Sequence, residues 1–230
     1  MALGNSKAIL TERQFLREGE VEISERAFNL IIGAMLMWGF LLNFATVALF
    51  GNQAAQMVRS MNPLIFLVIY IALVLIGNFM IVKGGALMSF AGYTLIAAPI
   101  GILLCVSLQG VPASVIESAV LITAIVTLSF MIAATVFPGF FLSLGRVLFF
   151  SLIFTIVGSL LSSLLFRGAG HKLYTWLGAG IFSLYIGYDW ARANTCARTV
   201  DNAIDLSASL YLDIINLFLR IVEIMNNNRK

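Results

Sequence analysis

The chain has 230 residues, 60% of them hydrophobic and 11% charged, with a formal charge of +3. Soluble domains average roughly 25% charged residues, whereas seven stretches of ~20–22 apolar residues, the length a bilayer core demands, would use about two thirds of this chain. With a mean hydropathy of +0.99, these figures exclude an ordinary soluble enzyme, a disordered tail and a nucleic-acid-binding domain, and describe a polytopic membrane protein.

Residues 1–26 form a polar arm in which Thr11, Glu12, Arg13 and Gln14 have the pattern of a capping box,. A short interfacial helix or a frayed arm would both suit it. No cleavable leader is expected, because the first apolar run is far longer than a leader's apolar region. That run covers residues 27–50 and is closed by Gly51, Asn52 and Gln53. A second span, 63–82, starts on Pro63, which suits a first helical turn, and stops at Lys83, Gly84 and Gly85,. The third, 86–108, is rich in small residues and contains Pro99, so a kink facing protein rather than lipid is expected,. Spans four and five cover 115–137 and 140–166, separated by Pro138 and Gly139. The sixth covers 173–190 with a polar extension, and the seventh 203–225, followed by a polar tail at 226–230. The runs are apolar on every side, whereas barrel strands alternate. The expected architecture is therefore an all-α transmembrane domain of seven helices over residues 27–225, with no soluble module.

Basic residues outside the spans set orientation. With the N-terminus cytoplasmic, the inner side holds eight (Lys7, Arg13, Arg17, Arg26, Lys83, Arg146, Arg192, Arg198) and the outer side five (Arg59, Arg167, Lys172, Arg229, Lys230). An N-in, C-out multi-pass topology follows. Arg146 and Arg220 lie close enough to span ends to snorkel. Cys105 sits in an apolar span and Cys196 in a polar hairpin, which argues against a disulfide. The lone His171 is an interfacial residue rather than a metal ligand, since a zinc site needs several N or S donors. No cofactor and no stable metal site are expected. Phe149, Phe150 and Phe154 suit lipid-facing packing.

Ionisable residues inside spans cost about 2.5–3.5 kcal/mol each on the insertion scale, so each is a functional candidate. Asp189 closes the sixth span, and Asp213 lies among apolar residues in the seventh. They stand 12 residues either side of Asp201, the expected turn and N-cap. Two antiparallel helices meeting there would bring both carboxyls to one depth, at most ~18 Å from the turn. Facing each other in low dielectric, they would share one proton and titrate as a unit. The alternative is two unrelated polar residues, each bonded to its own neighbours. Asp201 and Asp205 read as cap and first-turn residues. Glu117, opening the fourth span, is a candidate ion mouth or simply an exposed acid near a helix N-terminus.

The stretches Leu184-Tyr185-Ile186-Gly187-Tyr188-Asp189-Trp190 and Ser209-Leu210-Tyr211-Leu212-Asp213-Ile214-Ile215-Asn216, with the separation of their aspartates, resemble the C-terminal signature of the Bax inhibitor-1 family. The resemblance extends more weakly over residues 30–225. It implies a seven-helix fold with the last helix central, and a pH-sensitive calcium leak with Asp189 and Asp213 as the paired sensor. Calcium would be the transported ion, held transiently at that pair, with membrane lipids as surroundings. Lys83 occupies the place of a basic latch in bacterial members; the membrane would be the plasma or inner membrane if the source is bacterial. The family also tends to carry an acidic residue inside the second helix, and residues 63–82 contain none.

Two other classes compete. Paired aspartates on the sixth and seventh helices also resemble presenilin-like intramembrane aspartyl proteases, whose carboxyls activate water. Those enzymes carry Gly-x-Gly-Asp at the second aspartate and a later Pro-Ala-Leu. Here Tyr211 and Leu212 precede Asp213, and no proline follows Pro138. The third reading is a non-conducting scaffold for an unspecified membrane-protein partner.

Overall fold

The computed structural model describes Leu16 and residues 20–83, 85–165 and 171–227, apart from the side chains of 160–165 and 171. The expectations for Thr11–Gln14 and for the His171 side chain lie outside the described residues. All regular structure among the described residues is helical. In chain order the helices are α1 (Glu25–Ser60), α2 (Pro63–Lys83), α3 (Ala86–Ser107), α4 (Ala113–Val136), α5 (Pro138–Ser143), α6 (Gly145–Leu165), α7 (His171–Ala193) and α8 (Val200–Asn227). Four of them, α1 to α4, are long and apolar enough to cross a membrane by length and composition. The chain is an integral membrane protein. It divides into two units, residues 1–109 with 195–209, and residues 110–194 with 210–230.

In the first unit, Ser24 caps α1 by accepting from the Ala27 N–H at 3.3 Å. The helix does not close at Gly51-Asn52-Gln53 but runs 36 residues to Ser60. One glycine costs a helix only about 1 kcal/mol relative to alanine, too little to end a long apolar run. The stop comes from Pro63, which disfavours helical geometry in the residue before it. That residue, Asn62, then accepts from the Leu64 N–H at 2.9 Å and starts α2. α2 is exposed along most of its length and buries only Gly77 and Ile81. Its contact with α3 is a backbone approach: a Cβ built on Gly77 would lie 2.7 Å from the Gly92 carbonyl oxygen. α3 is the buried helix of this group, and Pro99 lies inside it among buried residues, facing protein. It is tied to α1 by Tyr93 donating to the Met35 carbonyl at 2.8 Å and by Trp38 Nε1 donating to Thr94 Oγ1 at 3.1 Å.

In the second unit, the fifth span is broken in two. Pro138 begins the six-residue α5, and the chain turns again at Leu144 before α6. The short helix exists to seat Phe141, which is buried with Ala134 and Ala191. Its ring lies where a Gly187 Cβ would be, so only glycine fits there on α7. Two more glycines serve as seats for aromatic rings of α7: Gly145 against Tyr188 and Gly158 against Tyr174. Phe149, Phe150 and Phe154 of α6 are exposed.

α8 runs through both units. Its N-cap is Thr199, not Asp201: Thr199 Oγ1 accepts from the Asn202 N–H at 3.1 Å. Thr199 precedes the helix by one residue, which is the capping geometry a β-region Ser or Thr favours. Within the helix, residues 201–208 are all buried, as are Leu210, Tyr211, Asp213 and Leu217.

Candidate functional site: a buried carboxyl pair

Asp189 sits one turn before the end of α7, where the helix carries its polar extension, and is 5% exposed. Asp213 lies midway along α8 and is 8% exposed. The two side chains lie within hydrogen-bonding reach of each other. Oδ2 of Asp213 is sealed from solvent, with no hydrogen-bond partner among the described residues. The spacing about the hairpin therefore does bring the two aspartates together.

The cation at the pair is Arg192. Its Nη1 lies 2.9 Å from Oδ1 of Asp189, three residues along the same helix. The guanidinium also stands over the Tyr188 ring, 5.6 Å from its centroid. The cluster of Asp189, Asp213 and Arg192 would be neutral if one proton were shared between the two acids, as a low-dielectric surrounding favours. Tyr185, one turn before Asp189, is within electrostatic reach of both carboxyls. The sequence alone does not single out Arg192, which reads as a charge of the hairpin loop. The signal for it was the three-residue offset from Asp189, which puts the two on one helix face once α7 is extended to Ala193.

Each of the other sequence candidates has its own place within its unit. Lys83 ends α2 in the first unit, exposed, with its ammonium 5.0 Å above the Phe79 ring centroid. Glu117 is exposed in the second turn of α4. Asp201 is a first-turn residue of α8, 4% exposed, with its Oδ1 2.6 Å from the Ser89 hydroxyl of α3. Asp205, one turn further, is 2% exposed. Both cysteines are free thiols, Cys105 buried and Cys196 half-buried. Arg220 does not simply snorkel: its Nη1 lies 3.3 Å from Oε2 of Glu223 on the same helix.

Fold and site define a helical integral membrane protein that buries two adjacent carboxyl groups within its polar C-terminal hairpin. Residues 24–230 match the family described as inhibitor of apoptosis-promoting Bax1, and the chain belongs to that family, the Bax inhibitor-1 family. It is also 36% identical over 83 residues to curated proteins of two Helicobacter pylori strains, each described as an uncharacterized protein. That match covers 36% of this chain, and the chain spans about a third (35%) of those relatives' length.

Proposed function

We propose that this protein is a pH-sensitive calcium leak channel whose gate is the Asp189–Asp213 pair. The observation that carries the reading is the close approach of two buried carboxyls, held beside Arg192. While the proton is shared, a short charge-assisted bond pins α7 to α8 and seals the path. When it is lost, two close anions repel and offer hard oxygen ligands to Ca²⁺. Flux therefore rises with pH. Arg192, Tyr185 and Tyr188 are the charged and titratable neighbours on α7 that set the midpoint.

The same reading takes the seven helices longer than twenty residues as seven spans, with α8 enclosed by the others and the N-terminus cytoplasmic. α8 needs enclosure because its carboxyls and amides would otherwise face acyl chains. Calcium is the cargo, not a resident cofactor. Calcium entry into proteoliposomes of the purified protein, followed from pH 5 to 8, tests the proposal. A rise in entry with pH supports it, and protein-independent leakage at every pH overturns it.

A further inference from the structure

Helix α7 carries Tyr185, Tyr188, Asp189 and Arg192 on one face about 100° wide, so its last turns set two rings, an acid and a cation side by side. The Arg192 guanidinium is held there from two directions. Nη1 lies 2.9 Å from Oδ1 of Asp189, and the guanidinium carbon stands 5.6 Å from the Tyr188 ring centroid. Tyr185 meets the same ring edge to face, with 6.4 Å between centroids. A planar cation over an aromatic face is attracted by the ring itself and keeps its N–H groups for the carboxylate.

The place of Tyr188 is fixed by another helix. α6 begins at Gly145, directly after the turn at Leu144. A Cβ on Gly145 would lie 2.9 Å from the Tyr188 hydroxyl oxygen, 3.0 Å from Cε2 and 3.1 Å from Cζ. The outer half of the ring therefore lies in the gap that a side chain at 145 would fill, with the guanidinium over its face. The helices α4, α5 and α6 pack on α7 within this unit. The groups they bring to this end of α7 are the Thr135 hydroxyl, which accepts from Trp190 Nε1 at 2.9 Å, and the Phe141 ring. Arg146 of α6 is exposed, and Glu117 of α4 lies about 27 Å along its helix from Thr135,. Among the described residues of this unit, the charged and titratable groups facing Asp189 are Arg192, Tyr185 and Tyr188 on α7 and Asp213 on α8.

We propose that Tyr188 is a positioning residue for the aspartate pair: seated on Gly145 of α6, its ring keeps the Arg192 guanidinium on Asp189, so the packing of α6 on α7 reaches the carboxyls. Its effect on flux rests on the leak-channel reading, to which it adds the element that tunes the gate. Without the ring, the guanidinium spends less time on Asp189, the ionised carboxylate loses support, and the proton stays to higher pH.

The test is two pH titrations of each variant, with folding checked by thermal unfolding in detergent. One follows calcium entry into proteoliposomes; the other follows, in detergent, the part of the protonated-carboxyl infrared C=O band that Asp213→Asn removes. Tyr188→Leu moves both midpoints upward by about half a pH unit, the size of a cation–π contact. Tyr188→Phe, which keeps the ring, stays near wild type. Gly145→Ala leaves every ring present but crowds this one, moves the midpoints the same way, and carries the test alone should the leucine variant not fold. In the Arg192→Gln background neither change shifts a midpoint further, because both act through the guanidinium. Wild-type midpoints in Tyr188→Leu and Gly145→Ala, or equal shifts without Arg192, overturn the positioning role and leave the aspartate gate standing. Calcium entry that ignores pH, while the infrared midpoints shift as stated, overturns the gate and leaves the positioning role standing.

Discussion

Arg192 holds Asp189 through a 2.9 Å contact between Nη1 and Oδ1, with only 21% and 7% of the two side chains exposed. The arginine is thus a fixed neighbour of the carboxyl pair, supplied by the same helix that supplies one of its acids. A guanidinium favours the ionised carboxylate and makes the shared proton easier to lose. Arg192→Gln removes that help, so protons stay on the pair to higher pH. Since flux rises as the proton leaves, its midpoint moves upward, by about one pH unit, while Arg192→Lys keeps most of the wild-type profile. Calcium entry measured at half-unit pH steps checks the sign. A downward or absent shift removes Arg192 from the gate.

Backbone contact between α2 and α3 gives a prediction about stability. A Cβ at Gly92 would lie 2.6 Å from the Gly77 carbonyl oxygen and 3.0 Å from both Ile81 Cγ1 and Met80 Cβ. The nearest obstacle is backbone, which cannot swing aside as a side-chain tip can. Close approach through small residues is the main source of helix association in lipid. Gly92→Val therefore destabilises the protein by about 1–3 kcal/mol, while Gly51→Ala, where a Cβ meets nothing within 4 Å, is neutral or slightly stabilising. Thermal unfolding in one detergent compares the two.

The aspartate pair was legible in the sequence because Asp213 is a charge in an apolar run, and because equal spacing about the hairpin fixes equal depth. Its immediate surroundings were not. Arg192 reads as loop charge until the last turn of α7 claims it, and Glu223, inside the seventh apolar run, is not singled out by the sequence. Its partner Thr175 is 48 residues away, a distance over which helical periodicity says nothing. The four long apolar helices α1 to α4 fall on the first four apolar runs, but helix ends moved where one residue outweighed a cluster. Pro63 decided the end of α1 against Gly51-Asn52-Gln53, and Thr199 took the cap from Asp201 by standing two residues nearer the turn. The break between α5 and α6 depends on Phe141 finding the space over Gly187, a tertiary fact invisible to a hydropathy window.

Ser89 offers a test of the buried acid in the first turn of α8. Its hydroxyl lies 2.6 Å from Asp201 Oδ1, and both residues are buried. Ser89→Ala removes a donor from a carboxylate out of reach of water, at a cost of about 1–3 kcal/mol. Asp201→Asn, which keeps an acceptor for the hydroxyl, is milder. Unfolding midpoints for the two variants give the order. Equal losses would mean that the charge of Asp201, not its bond to Ser89, is what the first unit requires.

The proposed topology places Lys83 and the hairpin carrying Arg198 on one side of the membrane, with the N-terminus. Single cysteines at Lys83 and Arg198, in a background with Cys105 and Cys196 replaced by serine, should react with an impermeant maleimide from the same face of sealed vesicles. Reaction from opposite faces breaks the seven-span arrangement.

Pairing of the two carboxyls makes the strongest prediction. Asp189→Asn and Asp213→Asn keep the shape of the side chain and remove one ionisable group each. If Asp189 and Asp213 act through one shared proton, either change abolishes the event that the pH profile reports. Each single variant then flattens calcium flux between pH 5 and 8, and the double variant adds little to either, since groups that act as a unit are not additive. Two independent acids would behave otherwise, each single variant keeping part of the slope and the double losing all of it. The amide variants also keep a hydrogen bond across the seam, because an amide can donate to the remaining carboxylate. Loss of fold is therefore not the expected cause of a flat profile, and retained thermal unfolding confirms it. A wild-type slope in Asp213→Asn would detach the pair from gating altogether, and with it the claim that this hydrogen bond is a switch rather than a way of burying two acids.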